Sequence, residues 1–161
     1  MPNASEELPM ELELNEDFKD LLKLFNSNNV RYLLIGGYAV IVHGHPRLTN
    51  DLDLVIGAEP ENVARCLKAL REFGFSEGEL SPNIFAESKS MVRIGVEPVR
   101  IEILNYLDGV DFGSAYERRE HRPTEDIQLD VISLPDLITN KRTVGRDKDL
   151  LDVKELIKVN R

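Results

Sequence analysis

Apolar positions recur along the chain with two spacings, three-and-four in some stretches and two in others, and the switch between them marks out the elements. Phe18, Leu21, Leu22 and Phe25 fall on one helical face, preceded by Asn15 with Glu16 and Asp17. An Asn cap followed by acids in the first turn starts a helix and Asn-rich residues stop it, so a helix is predicted over Glu16 to about Ser27. Arg31 to Ile35 is a short apolar run that stops at Gly36-Gly37, the usual opening of a strand-turn-helix unit. Tyr38 to His43 is then expected as a short helix ended by Gly44, and Asp51 to Ile56 as a second strand closed by Gly57. Pro60 suits the first position of a helix whose stripe of Val63, Leu67, Leu70 and Phe73 ends at Gly74. Cys66 borders that stripe and is expected as core filling rather than a nucleophile.

Further along, Ser90 to Ile94 and Val99 to Leu104 are predicted as strands of a hairpin turning around Gly95 to Pro98. A short helix near Phe112 to Arg118, a strand near Ile127 to Ile132, and helices from about Leu134 and Asp147 complete the chain. The order α-β-α-β-α-β-β-α-β-α-α predicts an α+β fold, a mixed sheet with helices packed against it.

Length and charge narrow the picture. The 161 residues, 42% apolar, fit a single domain over residues 1–161, with 1–14 expected as a flexible acidic segment. The longest apolar run, Tyr32 to Val42, is broken by two glycines and too short to cross a membrane, which takes roughly twenty apolar residues. With acids rather than bases at its start, the chain is expected in the cytoplasm and away from membranes. Twenty Lys and Arg against 29 Asp and Glu give a net charge of −9, which argues against coating duplex DNA. Only residues 139–161 are net positive, and a local basic patch of that kind can hold a triphosphate. One cysteine permits neither an internal disulfide nor a zinc framework, so metal chemistry would need carboxylates or histidines.

The densest chemistry lies between Gly36 and Asp53. Residues two apart on a strand face the same way, so Asp51 and Asp53 are expected to project together while Leu52, Leu54 and Ile56 enter the apolar layer. Paired like charges are best tolerated where a cation settles them, and hard oxygen ligands suit Mg²⁺ or Mn²⁺; solvated acids on an exposed strand are the plainer alternative. Gly36-Gly37 between a strand and a helix lets the backbone approach a phosphate closely, or makes a tight turn and nothing more. Glu102, flanked by Ile101 and Ile103, is the candidate third acid, with Asp108 held in reserve because Asp108-Gly109 suits a turn. His43 is expected to hydrogen-bond structurally, and His45 and His121 show no ligand spacing.

Gly36-Gly37, a short helix ending in His43-Gly44, then Arg47 and Asp51-Leu52-Asp53 resemble the nucleotidyltransferase superfamily with the polymerase-beta-type catalytic core. Ile101-Glu102-Ile103-Leu104 resembles its third-carboxylate strand, and Lys141 with Gly145-Arg146-Asp147-Lys148-Asp149-Leu150 and Asp152 its C-terminal segment. Within the superfamily the pattern is similar to AbiEii-type toxins and related minimal nucleotidyltransferases, although Glu102 stands where many relatives carry Asp. The resemblance implies an enzyme that moves a nucleoside monophosphate from an NTP to a hydroxyl and releases pyrophosphate. By the same resemblance Asp51, Asp53 and Glu102 would hold Mg²⁺ or Mn²⁺ and serve catalysis. Gly36 and Gly37 would seat the triphosphate, and Arg47 and Lys141, joined by Arg146 or Lys148, would neutralise it. The acceptor would be an RNA such as tRNA, a protein or a small molecule, and a cognate toxin or antitoxin partner is a further expectation. The alternatives are a non-catalytic nucleotide sensor or toxin-antitoxin partner of the same fold. For Lys141, Arg146 and Lys148 the alternative is an ordinary helix surface, where Lys148 and Asp152, four apart, could pair locally.

Overall fold

A computed structural model describes residues 14–80, 83–96, 100–124 and 126–161. The described elements are α1 (Glu16–Ser27), β1 (Tyr32–Ile35), α2 (Gly36–Val42), β2 (Leu52–Ile56), α3 (Pro60–Phe73), β3 (Met91–Ile94), β4 (Ile101–Leu104), α4 (Phe112–Glu117), β5 (Glu120–Pro123), β6 (Gln128–Val131), α5 (Leu134–Val144) and α6 (Asp147–Val159). The strands form one mixed sheet in the order β3-β4-β2-β1-β6-β5, and the α+β class expected from the sequence is the one observed. No helix among the described residues is long and apolar enough to cross a membrane.

The core follows from the periodicities. Phe18, Leu21, Leu22 and Phe25 of α1 are buried, and the Asn15 side chain accepts from Asp17 N at 2.8 Å to cap the helix. α1 lies beside α3, which buries Cys66, Leu67, Ala69 and Leu70 and ends at Gly74 with φ 123°. All four residues of β1 are buried, as are Leu52, Leu54, Val55 and Ile56 of β2, so the middle of the sheet is covered on both faces. Burying side chains of this size stabilises by roughly 1.5–3 kcal/mol each before chain entropy is counted. Cys66 is wholly buried, and burial pushes its thiol up to about 12, in keeping with core filling.

Three local expectations need correction or limitation. α2 begins at Gly36, not Tyr38, because the glycines themselves make the first turn out of β1. β5 was not foreseen, since Glu120-His121-Arg122-Pro123 has neither apolar alternation nor a strand-forming composition. Among the described residues it pairs with β6 alone, and an edge strand tolerates Pro and charge. The hairpin turn falls partly on residues 97–99, and the acidic start on 1–13; both lie outside the described residues.

Topology brings the chemistry together. β1 and β2 are antiparallel with Ile35 opposite Asp53, while β2 and β4 are parallel with Asp53 opposite Glu102. The β1–α2 turn, two acid-bearing strands and the α5–α6 pair thereby share one end of the sheet.

Candidate active site

The turn from β1 into α2 is the floor of the site. Gly36 has φ 68°, the left-handed region that favours glycine. A β-carbon on Gly36 would overlap the Asp53 carboxylate, and one on Gly37 would overlap the Thr49 side chain and stand 3.3 Å from Arg47 Nη1. The paired glycines thus let backbone, carboxylate and guanidinium share one small volume.

Asp53 and Glu102 line a cleft of about 230 Å³ together with Gly36, Lys141, Arg146 and Asp149. Ile101 and Ile103 on either side of Glu102 are fully buried, so strand alternation turns Glu102 toward the cleft. Oδ1 of Asp53 is buried and has no hydrogen-bond partner among the described residues. Burial foremost, then the charge of Glu102 and a hydrogen bond with it, then the charge of Asp51 push the Asp53 carboxyl up to about 7, against the pull of Lys141. Tyr38 is raised as well, by burial and then by Asp51 and Asp53.

Two of the three expected metal acids carry a cation of this chain. Arg100 forks onto Asp51 with Nε 3.0 Å from Oδ1 and Nη2 3.2 Å from Oδ2. Arg93, the register partner of Glu102 on β3, donates from Nε to Oε1 at 2.8 Å. Among the described residues no three His, Cys, Asp or Glu side chains converge as a ready metal cluster. The donor chemistry nevertheless suits a hard divalent cation: a buried orphan oxygen beside a second carboxyl, on a rigid strand pair, has the character Mg²⁺ or Mn²⁺ prefers. Asp51 would join such a set only by exchanging Arg100 for the ion.

The cations form a separate cluster across the cleft. Lys141 is only 6% exposed, which removes the helix-surface alternative for it. Its Nζ lies 2.9 Å from Asp152 Oδ2 and 3.3 Å from Asp149 Oδ1. Arg47 reaches the same Asp152, with Nε 3.0 Å from Oδ1 and Nη2 3.1 Å from Oδ2. Arg146 Nε is 2.7 Å from Asp149 Oδ2. Lys148 is exposed, and the local pairing with Asp152 expected for it does not form, because Asp152 points inward to Lys141 and Arg47.

Asp108 is on the cleft wall, 3.5 Å from Lys89 Nζ. His43 is buried with Nε2 2.7 Å from the Ile132 carbonyl, a structural role, and burial lowers its pKa. His121 pairs with Asp130 at 2.7 Å, and His45 is half-buried. Reading the sequence missed Arg93, Arg100 and the inward aim of Asp149 and Asp152. A signal for the last two was present: Asp149, Asp152, Val153 and Leu156 share one helical face, and an acid on a core face requires a cation.

Comparison with known proteins bears on this geometry. The family model described as "Nucleotidyltransferase of unknown function (DUF6036)" matches residues 12–161. No curated protein matches the sequence. Among solved structures, TM1012 from Thermotoga maritima, a protein proposed to be a nucleotidyltransferase, superposes with a TM-score of 0.58 at 15% identity, covering 89% of this chain and 91% of its own. The lincosamide antibiotic adenylyltransferase LnuA, solved with lincomycin bound, superposes with a TM-score of 0.55 at 16% identity, covering 91% of this chain and 98% of its own. At such identities these two share the fold.

Proposed function

The chain belongs to the DUF6036 nucleotidyltransferase family, and on that premise we propose that it is a metal-dependent enzyme transferring a nucleoside monophosphate from an NTP to a hydroxyl acceptor, with release of pyrophosphate. The observation that carries this reading is the Asp53–Glu102 pair, with a buried unpartnered oxygen, against a glycine turn and facing a cluster of cations.

Asp53 and Glu102, joined by Asp51 once Arg100 is displaced, would hold Mg²⁺ or Mn²⁺. Such an ion supplies a lowered hydroxyl pKa and neutralisation of phosphate charge when bound. The chain's own residues bind and orient. Gly36 and Gly37 allow the triphosphate to approach the backbone at the start of α2. Lys141, Arg47 and Arg146 offset its negative charge and that of the departing pyrophosphate. In the transfer, the acceptor oxygen bonds to the α-phosphorus, the bond from that phosphorus to the bridging oxygen breaks, pyrophosphate leaves, and the proton of the hydroxyl passes to solvent water. The acceptor is an RNA such as tRNA, a protein or a small molecule, in a cytoplasmic setting.

The arginines on Asp51 and Glu102 favour one rival, a nucleotide sensor or toxin-antitoxin partner that binds without transfer. Incubation with each labelled NTP, Mg²⁺ or Mn²⁺, and cellular RNA plus protein separates the two. The expected result is label on a discrete acceptor, reduced by about 10³-fold in Asp53→Asn. Nucleotide binding with no transfer by the unaltered protein would establish the sensor instead.

A further inference from the structure

Asp152 joins two chain segments that the sequence keeps far apart. Arg47 comes from the loop after α2 and Lys141 from the end of α5, and both end on the one carboxylate of Asp152 in α6. That carboxylate is 5% exposed and Lys141 7%, so the junction is interior, whereas the Arg47 side chain, at 32%, reaches toward solvent. Arg47 spends Nε and Nη2 on Asp152, and its third nitrogen, Nη1, donates to the Leu48 carbonyl at 2.9 Å. This fork fixes the guanidinium plane, because two parallel bonds to a carboxylate leave it no rotation. Nη1 is thereby held beside Gly37, where a β-carbon would lie 3.3 Å from it. Lys141, held by the other half of the junction, lies on the cleft wall with Gly36 and Asp53.

We propose that Asp152 is a positioning residue for the triphosphate: it locks Arg47 against the glycine turn and Lys141 on the cleft wall, so that two cations from separate segments form one preset phosphate seat. This rests on the nucleotidyltransferase reading and adds to it a residue that touches no substrate. A free Arg or Lys side chain must give up rotamer entropy when it meets an anion, and a pre-ordered one has already given it up. The proposal also carries a sign that a charge-only role does not share. Removing a carboxylate close to an anion site strengthens anion binding if charge is all that counts. Removing a positioning carboxylate weakens it.

The test is equilibrium binding of Mg²⁺-ATP, -CTP, -GTP and -UTP, and of inorganic tripolyphosphate, to the full chain without acceptor, with thermal melts alongside. Asp152→Asn is expected to weaken both the bound NTP and tripolyphosphate by about tenfold or more, as loss of an outer partner does elsewhere. Binding of Mn²⁺ alone, which falls to Asp53 and Glu102, is expected to stay within twofold. Affinity equal to or tighter than that of the unaltered protein overturns the positioning role and leaves the nucleotidyltransferase reading standing. If the unaltered protein binds neither probe, both fall together. Should Asp152→Asn not fold, Arg47→Lys serves on the exposed side of the junction: it keeps the charge but loses the fork and is expected to bind as weakly as Arg47→Gln, and full recovery with Lys overturns the proposal.

Discussion

The strand side and the helix side of the cleft hold carboxylates in opposite electrostatic states. On the strand wall three acids, Asp51, Asp53 and Glu102, face two arginines, Arg100 and Arg93, and the unmatched charge collects on Asp53, whose pKa rises to about 7. On the helix wall two acids, Asp149 and Asp152, face three cations, Arg47, Lys141 and Arg146. There burial also opposes ionisation of Asp149, but hydrogen bonds from Arg146 and the charges of Lys141 and Arg146 outweigh it and hold its carboxyl below the ordinary range. One wall is short of a positive charge and the other has one to spare. A Mg²⁺-triphosphate brings the complement of each, a cation for the strands and an anion for the helices.

That contrast predicts opposite signs for the same chemical change. Asp149→Asn leaves Lys141 half-partnered in the interior and should destabilise by about 3–5 kcal/mol at neutral pH, the cost of breaking a buried pair from one side. Because the folded pKa of Asp149 is depressed, its contribution is present above the unfolded carboxylate value and lost as pH falls through the folded one. The gap between variant and parent should therefore narrow in acid. Asp53→Asn should change stability in the opposite direction, again with a gap that closes in acid. With a folded pKa of about 7 against 3.8, the native state holds a proton that the unfolded chain releases, so stability declines as pH rises from 3.8 to 7 and the penalty is complete above that. Asn escapes it, and the variant should gain about 4 kcal/mol at pH 8 and nothing near pH 3. Melting curves across pH read both variants, and stabilisation by Mg²⁺ should appear in the parent and vanish in Asp53→Asn.

The strand wall was largely legible in the sequence and the helix wall was not. Asp53 and Glu102 announce themselves because an acid between Leu52 and Leu54, or between Ile101 and Ile103, keeps a period of two that sets it on the face opposite its apolar neighbours. Sheet order then had to place their strands side by side, and no local pattern encodes that β2 and β4 are neighbours. The helix wall depends on which cation meets Asp152. Lys148 is four residues away and satisfies the local rule, yet Arg47 and Lys141, remote in sequence, take the carboxylate because α6 turns it inward. β5 escaped for a related reason, since its pairing is imposed by β6 rather than by its own composition.

The glycine floor between the walls gives a smaller effect. Gly36→Ala meets both a positive φ and the Asp53 carboxylate, so a loss of about 1–3 kcal/mol is expected, with weaker Mn²⁺ binding as Asp53 is displaced. Gly74→Ala is the control: φ is 123° but nothing lies within 4 Å of the added β-carbon. It should show the backbone strain and leave the metal untouched. Equal losses of Mn²⁺ affinity in the two variants would detach the glycine turn from the acid pair.

The smallest effect tests where the helix wall ends. Lys148 stands in the same short run as Arg146 and Asp149, and by sequence alone it competes with Lys141 for a phosphate-binding role. In the fold it is exposed, and no ion pair forms with it among the described residues. A solvated lysine on a helix surface contributes within about 0.5 kcal/mol, and its field at the cleft is screened over roughly a Debye length. Lys148→Ala should accordingly leave stability, tripolyphosphate affinity and label transfer within twofold of the parent, while Lys141→Ala lowers the latter two by an order of magnitude or more. A Lys148→Ala loss that matched Lys141→Ala would mean that the positive excess belongs to the basic C-terminal segment at large, and the boundary drawn by the Asp149–Lys141–Asp152 junction would have to be given up.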